Sequence, residues 1–172
     1  MRNDRPSADE YRGYFAKYIA LVPDGDLPTI LAEQAARFRP FYAGISEDQA
    51  LRRYADGKWS VKQVVGHLMD TERMFGFRAF AFSRNEPAAL FSFEQDNYVK
   101  AVDFDAMPWR AIVDEFAAVR AGTIALFNGM TPEMLQRRGT ASEATLSVRA
   151  AGFIIAGHEE HHTRAIRDHY LA

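Results

Sequence analysis

Apolar residues recur at helical spacing along four long segments of the chain, and no segment shows the strict alternation of a half-buried strand. The first segment, "TILAEQAARFRPFYAGI", is predicted to be helical up to the neighbourhood of Pro40, whose ring kinks or ends a helix. The other three run from Ser60 to Phe82, from Pro108 to Met130 and from Ser147 to Tyr170. Four long amphipathic helices predict an all-α fold, an up-down-type four-helix bundle with short extra helices.

Shorter elements are expected around these four helices. A capping box that begins at Ser7 predicts a short N-terminal helix over about residues 7–20. Residues 85–108 are predicted to form a long irregular loop, and loops of that length are usually functional. No linker or repeat divides the chain, so we predict one domain over residues 1–172, with the bundle occupying about 27–172.

The composition narrows the classes of protein that the chain can belong to. Apolar residues make up 48% and charged residues 26%, as in ordinary globular proteins. The net charge of −2 and the scattered arginines argue against a nucleic-acid partner. The absence of cysteine excludes disulfides and thiolate ligands and suits a cytoplasmic protein. No secretory signal and no apolar run of about 20 residues is present, so no membrane partner is expected.

Four of the five histidines crowd into one stretch, "GHEEHHTRAIRDHY", residues 157–170. On a helical wheel His158 and His162 lie about 40° apart and continue the apolar stripe, whereas His161 lies at its border. This i, i+4 spacing brings two Cβ atoms within about 5–6 Å, close enough for both imidazoles to bind one cation. The string H-E-E-H spaces its histidines at i, i+3, so we reject a zinc-protease motif.

A tight metal site needs a third ligand, and His67 is the only histidine outside the terminal stretch. On its own helix His67 flanks the main apolar face, so the wheel leaves its role open. The alternative is that the histidines bind no metal and are hydrogen-bonded or partly exposed near a helix C-terminus, where imidazolium favours the macrodipole.

Four further residues are candidates for contacting an imidazole or the substrate. Asp70 and Thr71 follow His67 by three and four positions and could orient its ring. Asp96, in the long loop, could reach an open coordination position, and His161 could serve as a spare ligand. For each of them a structural or surface role is the favoured alternative, and no residue is assigned as catalytic.

The run "MFGFRAFAF", residues 74–82, places aromatic side chains on several faces of its helix. Aromatic residues that are buried on more than one side of a helix predict an interface in addition to the core. We therefore expect a homodimer.

Several stretches of the chain resemble the DinB superfamily, the damage-inducible bacterial metalloproteins: "WSVKQVVGHLMDTERMFGFRAFAFSR", "DEFAAVRAGTIALF", "FEQDNYV" and "LSVRAAGFIIAGHEEHHTRAIRDHY". The resemblance rests on one histidine in the second long helix and an H-x-x-x-H pair in the last. It implies a four-helix bundle that holds a divalent metal ion between His67, His158 and His162. Zinc or nickel suits neutral imidazole best, and three ligands leave positions open for water or substrate.

Families similar to this one include bacillithiol transferases and mycothiol-dependent isomerases, in which the metal ion activates the thiol of a small cofactor. The resemblance implies an enzyme with a small-molecule substrate, and thiol S-transfer with a low-molecular-weight thiol as co-substrate is the first hypothesis. A metal-dependent hydrolase is the alternative among enzymes. Outside them, the alternative is a non-catalytic bundle that binds metal for stability or stress sensing, or binds none.

Overall fold

The computed structural model describes residues 4–172. Its α-helices are α1 (Ala16–Ile19), α2 (Leu27–Ala43), α3 (Glu47–Ala50), α4 (Val61–Ser83), α5 (Gln95–Ala101), α6 (Trp109–Asn128), α7 (Pro132–Gln136) and α8 (Val148–Ala165). Two short antiparallel strands precede α8, namely β1 (Arg138–Ala141) and β2 (Ala144–Ser147). The remaining turns are 3-10 helical (Ala8–Glu10, Gly13–Phe15 and Phe104–Ala106), and a π-helical turn (Ile166–Tyr170) extends α8.

Serine caps determine where α4 and α8 begin, and therefore the register of the histidines that these helices carry. The Ser60 hydroxyl accepts a hydrogen bond from the backbone N–H of Gln63 at 3.1 Å, and the Gln63 side chain accepts one from the backbone N–H of Ser60 at 2.9 Å. The Ser147 hydroxyl accepts one from the backbone N–H of Ala150 at 3.0 Å. Each cap satisfies backbone donors that the first helical turn leaves unpaired.

The four long helices α2, α4, α6 and α8 form a bundle, which confirms the predicted all-α four-helix architecture. Both α2 and α4 pack against α6 and α8, so the consecutive bundle helices α2 and α4 lie across the bundle from each other. Apolar side chains fill the interior in two clusters, one around Phe127 and Phe153 and the other around Tyr42 and Phe116. Within residues 4–172, none of the helices combines the length and apolar character that crossing a membrane demands.

A buried ion pair joins α4 to α6 inside the bundle. Arg120 donates two hydrogen bonds to the carboxylate of Glu72, at 2.8 and 2.9 Å, and the two side chains are 0% and 3% exposed. This bidentate geometry offsets the cost of taking both charges out of water. The pair therefore holds α4 and α6 in one relative position.

The N-terminal segment is not the single helix predicted over residues 7–20. It forms two 3-10 turns and then the four-residue helix α1, which packs against α8. Glu10 does accept a hydrogen bond from the backbone N–H of Ser7 at 2.8 Å, but its carboxylate also binds Ser147 at 2.7 Å and Arg149 at 2.8 Å. These contacts with the end of β2 and the start of α8 override the local preference for one continuous helix.

Helix α2 includes Pro40 and ends at Ala43, in the predicted neighbourhood, and Phe38 and Tyr42 on its last turns pack into the core. Two other local predictions are corrected. The predicted loop over residues 85–108 contains α5 and a 3-10 turn. The expectation of no strand is wrong at the β1–β2 hairpin, whose turn residues Ser142 and Glu143 both have positive φ. Glycine or asparagine usually marks such a turn, and here neither is present.

Candidate metal centre

Three histidine side chains converge where α4 passes α8. His67 lies in the second turn of α4, and His158 and His162 lie in consecutive turns of α8. The Nε2 atom of His158 is 3.1 Å from Nε2 of His67 and 3.1 Å from Nε2 of His162. One ligand atom from each ring lies within 4.8 Å of the other two, so three nitrogens face one point.

A glycine precedes a histidine in both helices and lets a neighbouring segment pack closely beside the centre. A Cβ atom at Gly66 would lie 2.4 Å from the ring of Phe104. A Cβ atom at Gly157 would lie 2.0 Å from the backbone carbonyl oxygen of Tyr18. Both approaches are closer than any side chain permits, so the missing Cβ atoms let Phe104 pack directly on α4 and Tyr18 directly on α8 next to the histidines.

Burial keeps the three imidazoles neutral. Desolvation lowers the pKa of His67 to about 4, although the carboxylate of Asp96 opposes this effect. Desolvation and the neighbouring His67 lower the pKa of His162 to about 3. The pKa of His158 falls well below its ordinary value because that ring is fully enclosed and faces His162. At neutral pH each ring therefore offers a lone pair instead of a second N–H group.

This set of donors suits a divalent metal ion. A neutral imidazole has one N–H group and one lone pair, so three Nε2 atoms around one point cannot all satisfy one another. Two nitrogens that bind a tetrahedral ion at 2.0–2.1 Å lie about 3.3 Å apart, close to the 3.1 Å separations of this centre. The arrangement fits an ion held by three imidazoles with at least one position left for another ligand.

Side chains around the rings restrict their orientation. The hydroxyl oxygen of Thr71 lies 3.4 Å from Nδ1 of His67. The ring of Trp59 packs against His67 with its centroid 5.0 Å away, and the ring of Tyr18 meets His158 edge-on at 5.2 Å. These contacts favour the rotamers in which all three Nε2 atoms converge.

Two cavities adjoin the centre. The larger, of about 620 Å³, is lined by His67 and His158 and extends between the N-terminal turns, the start of α5 and the β1–β2 hairpin. The smaller, of about 460 Å³, is lined by His161 and His162. Asp96 of α5 lines both cavities. A small molecule in the larger cavity would have direct access to the histidines.

The structure brings two of the four additional candidates to the centre. Thr71 contacts His67, and Asp96 lines the adjoining cavities. Asp70 instead forms an ion pair with Arg73 at 3.8 Å, and burial raises its pKa. His161 is exposed, and its ring packs on Tyr18 and His162 with centroids 5.3 and 5.1 Å away, so it lies outside the group of three.

Two residues that border the site, Tyr18 and Arg78, were not among the sequence candidates. Arg78 lies on the same face of α4 as His67 and Thr71, so the helical period would have identified it. The sequence carries no signal for Tyr18, because the folding of the N-terminal segment over α8 brings it to the site.

The chain is similar to two bacterial proteins that carry the provisional name metal-dependent hydrolase. The protein from Geobacillus thermodenitrificans (strain NG80-2) is 27% identical over 132 residues, which is 74% of this chain and 73% of the relative. The protein from Geobacillus kaustophilus (strain HTA426) is 26% identical over 132 residues, with the same coverage.

The fold is similar to that of YfiT from Bacillus subtilis, which is described as a probable metal-dependent hydrolase with an unusual four-helix bundle topology. The TM-score is 0.71, and the match covers 95% of this chain and 89% of YfiT at 18% identity, a level at which the likeness shows the fold alone. The sequence profile of the DinB superfamily matches residues 30–166, a range that includes all three converging histidines. The chain belongs to the DinB superfamily.

Proposed function

We propose that the chain is a metal-dependent hydrolase of small molecules, in which His67, His158 and His162 bind one divalent ion, zinc or nickel. The observation that carries the proposal is the convergence of three neutral imidazoles, two buried and one half-buried, of which His67 and His158 line a cavity of about 620 Å³. The provisional names of the two Geobacillus relatives support hydrolysis over other reactions.

A divalent ion bound by three imidazoles would polarise a substrate carbonyl or phosphoryl group and lower the pKa of a bound water. Thr71 and Trp59 hold the ring of His67, and Tyr18 covers that of His158. Asp96 is the acidic side chain that lines both cavities beside the histidines. We assign Asp96 as the general base, which accepts the proton of the attacking water and returns it to the leaving group as the scissile bond breaks.

Thiol S-transfer is the second candidate. The larger cavity has room for a thiol co-substrate beside an electrophile. The chain has no cysteine, so the nucleophilic sulfur would come from a low-molecular-weight thiol such as bacillithiol or mycothiol.

The first experiment measures the metal content of untagged protein by elemental analysis. We expect about one zinc or nickel ion per chain, and its loss from each of the His67→Ala, His158→Ala and His162→Ala variants, since two ligands do not make a tight site. His161→Ala is the matched control, because it removes a neighbouring imidazole outside the group, and it should retain the ion. Wild-type protein without metal, or His67→Ala with undiminished metal, would contradict the assignment.

The second experiment assays the metal-loaded protein on panels of carboxylic and phosphoric esters and amides, and on electrophiles with bacillithiol, mycothiol or glutathione. We expect hydrolysis without a thiol, and a fall in kcat of about 10²–10⁴-fold in Asp96→Asn with metal content unchanged. Asp70→Asn, a matched change away from the imidazoles, should retain activity. Turnover only with a thiol would favour S-transfer, and metal binding without any turnover would favour the non-catalytic bundle.

A further inference from the structure

Arg78 is a buried cation without a carboxylate partner. Among the residues that the structure describes, the buried lysine and arginine side chains are Lys62, Arg78 and Arg120. Lys62 forms an ion pair with Glu47, and Arg120 forms one with Glu72. No carboxylate in the described part of the chain pairs with Arg78. The protein thus neutralises its other buried basic side chains and leaves this one uncompensated.

Neutral groups hold the guanidinium of Arg78 in place. Its Nη2 atom donates to the backbone oxygen of Phe91 at 2.9 Å and to the hydroxyl of Ser142 at 3.0 Å. The guanidinium lies over the ring of Phe75, 5.0 Å from the centroid, and its Nε atom is buried without an acceptor within the described chain. Burial lowers the pKa of Arg78, yet a guanidinium stays protonated in proteins. Burying an unpaired charge costs desolvation free energy, and a ligand of opposite charge would offset that cost.

Arg78 lines the same cavity as His67 and His158. It follows His67 by eleven residues on one face of α4, a separation of about 16 Å along the helix, and its side chain leans back toward the helix N-terminus. Thr71 and Phe75 lie between them on that face and also line the cavity. One wall of the cavity therefore leads from the histidines to the guanidinium.

Charged side chains occur at several places in the wall of this cavity. The carboxylate of Asp96 lies near His67, Arg12 and Glu94 are exposed members of the lining, and Arg78 is the buried basic side chain. Apolar side chains, including Phe75 and Ile154, line the space together with polar ones. A molecule with an acidic group and an apolar body would be held best with its acidic group at Arg78, because this buried charge has no carboxylate partner, and with its other end toward the histidines.

We propose that Arg78, together with the hydroxyl of Ser142, binds an anionic oxygen group of the substrate, a carboxylate or a phosphate. The substrates are then small, elongated organic anions whose other end reacts at the histidine centre. This inference rests on the proposed function, because it assigns the far end of the same cavity. An anionic oxygen group supplies the missing negative charge, and arginine binds such groups with strong, charge-assisted hydrogen bonds.

The test measures binding by calorimetry, independently of turnover, with octanoate, octyl phosphate and the neutral analogue octanamide. Full-length wild-type protein and the metal-binding variant His158→Ala are compared, because a carboxylate could also bind a metal ion. We expect at least tenfold tighter binding of an anion than of octanamide by both proteins. Arg78→Met should weaken anion binding about 10- to 100-fold and leave octanamide binding unchanged, with Arg78→Lys intermediate.

Arg73→Met is the matched control, since it removes an exposed arginine of the same helix, and it should bind all three probes like wild type. If Arg78→Met does not fold, Ser142→Ala is measured instead, with an expected loss of about fivefold for the anions. The tighter of octanoate and octyl phosphate identifies the anionic group that the site prefers.

Equal binding of octanoate and octanamide by wild type, or undiminished anion binding by folded Arg78→Met, would overturn the proposal. Loss of the preference in His158→Ala but not in Arg78→Met would also overturn it, because the anion would then bind the metal. Anion binding that depends on Arg78, in a protein that hydrolyses nothing, would support the anion-binding site and contradict the hydrolase assignment. A failure of this inference can therefore be told apart from a failure of the proposed function.

Discussion

At the scale of single residues, the neutrality of the imidazoles decides what the centre can bind. A metal ion competes with protons for the ring lone pairs, so histidines with a lowered pKa remain available as ligands in mildly acidic solution. The pKa values of about 4 for His67 and about 3 for His162 follow from burial. Burial of the histidines therefore keeps their rings neutral and able to bind a metal ion.

Thr71 is expected to orient His67, since its hydroxyl oxygen lies 3.4 Å from Nδ1 of that ring. We predict that Thr71→Val lowers metal affinity about 10- to 100-fold, the usual effect of losing a group that orients a ligand. Competition with a chromophoric chelator measures this change. Thr123→Val is the control, because this buried threonine hydroxyl donates to the backbone oxygen of Val119 on α6. Equal affinities in the two variants would exclude an orienting role for Thr71.

At the scale of elements, the contact between α1 and α8 depends on the missing side chain of Gly157. A Cβ atom there would lie 2.0 Å from the carbonyl oxygen of Tyr18, and backbone cannot move aside as a flexible side chain can. We predict that Gly157→Ala lowers the free energy of unfolding by about 1–3 kcal/mol, as overpacking does. Chemical denaturation provides the measurement.

The matched control for this prediction is Gly122→Ala on α6, where a Cβ atom would meet nothing within 4 Å. Replacing that exposed helical glycine should raise stability by about 0.5–1 kcal/mol. If Gly157→Ala were as stable as Gly122→Ala, the result would contradict the close packing of the Tyr18 backbone against Gly157.

The attachment of the N-terminal segment should depend on pH through Glu10. Burial alone would raise the pKa of this carboxyl, but hydrogen bonds from Arg149, Ser147 and the backbone of Ser7 lower it from 4.5 to about 2. Because the folded state binds the proton less tightly than the unfolded state, the stabilisation is complete above about pH 4.5 and is lost as pH falls toward 2.

We predict that Glu10→Gln removes this acid-sensitive stabilisation and costs about 1–3 kcal/mol at pH 7. Hydrogen exchange of residues 4–20 at pH 7 and pH 3 would detect the loosened segment. Asp9→Asn breaks an exposed ion pair with Arg138 at the neighbouring position and should cost less than about 1 kcal/mol. Protection that does not depend on pH in the wild type would contradict the prediction.

At the scale of the whole molecule, the proposed metal ion would link α4 and α8, whose histidines are about ninety residues apart in the chain. We predict that chelation lowers the free energy of unfolding of the metal-loaded protein, by about 4 kcal/mol when free metal exceeds Kd a thousandfold. Thermal unfolding with and without chelator measures this. His158→Ala should be insensitive to chelator, and an equal response of both proteins would refute the link.

The homodimer stays a prediction, as does the single domain. On α4, Phe77 and Phe80 are 45% and 47% exposed, which is compatible with an interface on this helix. Sedimentation equilibrium should show a dimer that dissociates in the double variant Phe77→Ser/Phe80→Ser. Tyr54→Ser, which changes an aromatic residue that is 49% exposed elsewhere, should leave the dimer intact. A monomeric wild type at all concentrations would exclude the dimer.

Local patterns predicted the parts of the fold that depend on neighbours in sequence. The i, i+4 spacing placed His158 and His162 on one helix face, and the helical period made the four long helices recognisable. The β1–β2 hairpin escaped prediction because its turn lacks the glycine or asparagine that usually marks positive φ. The N-terminal helix was overpredicted because the contacts of Glu10 that break it come from residues more than a hundred positions away.

The sequence by itself determined the bundle helices and the histidine pair of α8, because spacing within one helix follows from its 3.6-residue period. Only the tertiary structure decided that His67 meets that pair, that Tyr18 covers it, and that Arg78 lies in the same cavity without a carboxylate. Distances between helices depend on how the entire core packs, and the helical wheel of one segment contains no information about its neighbour.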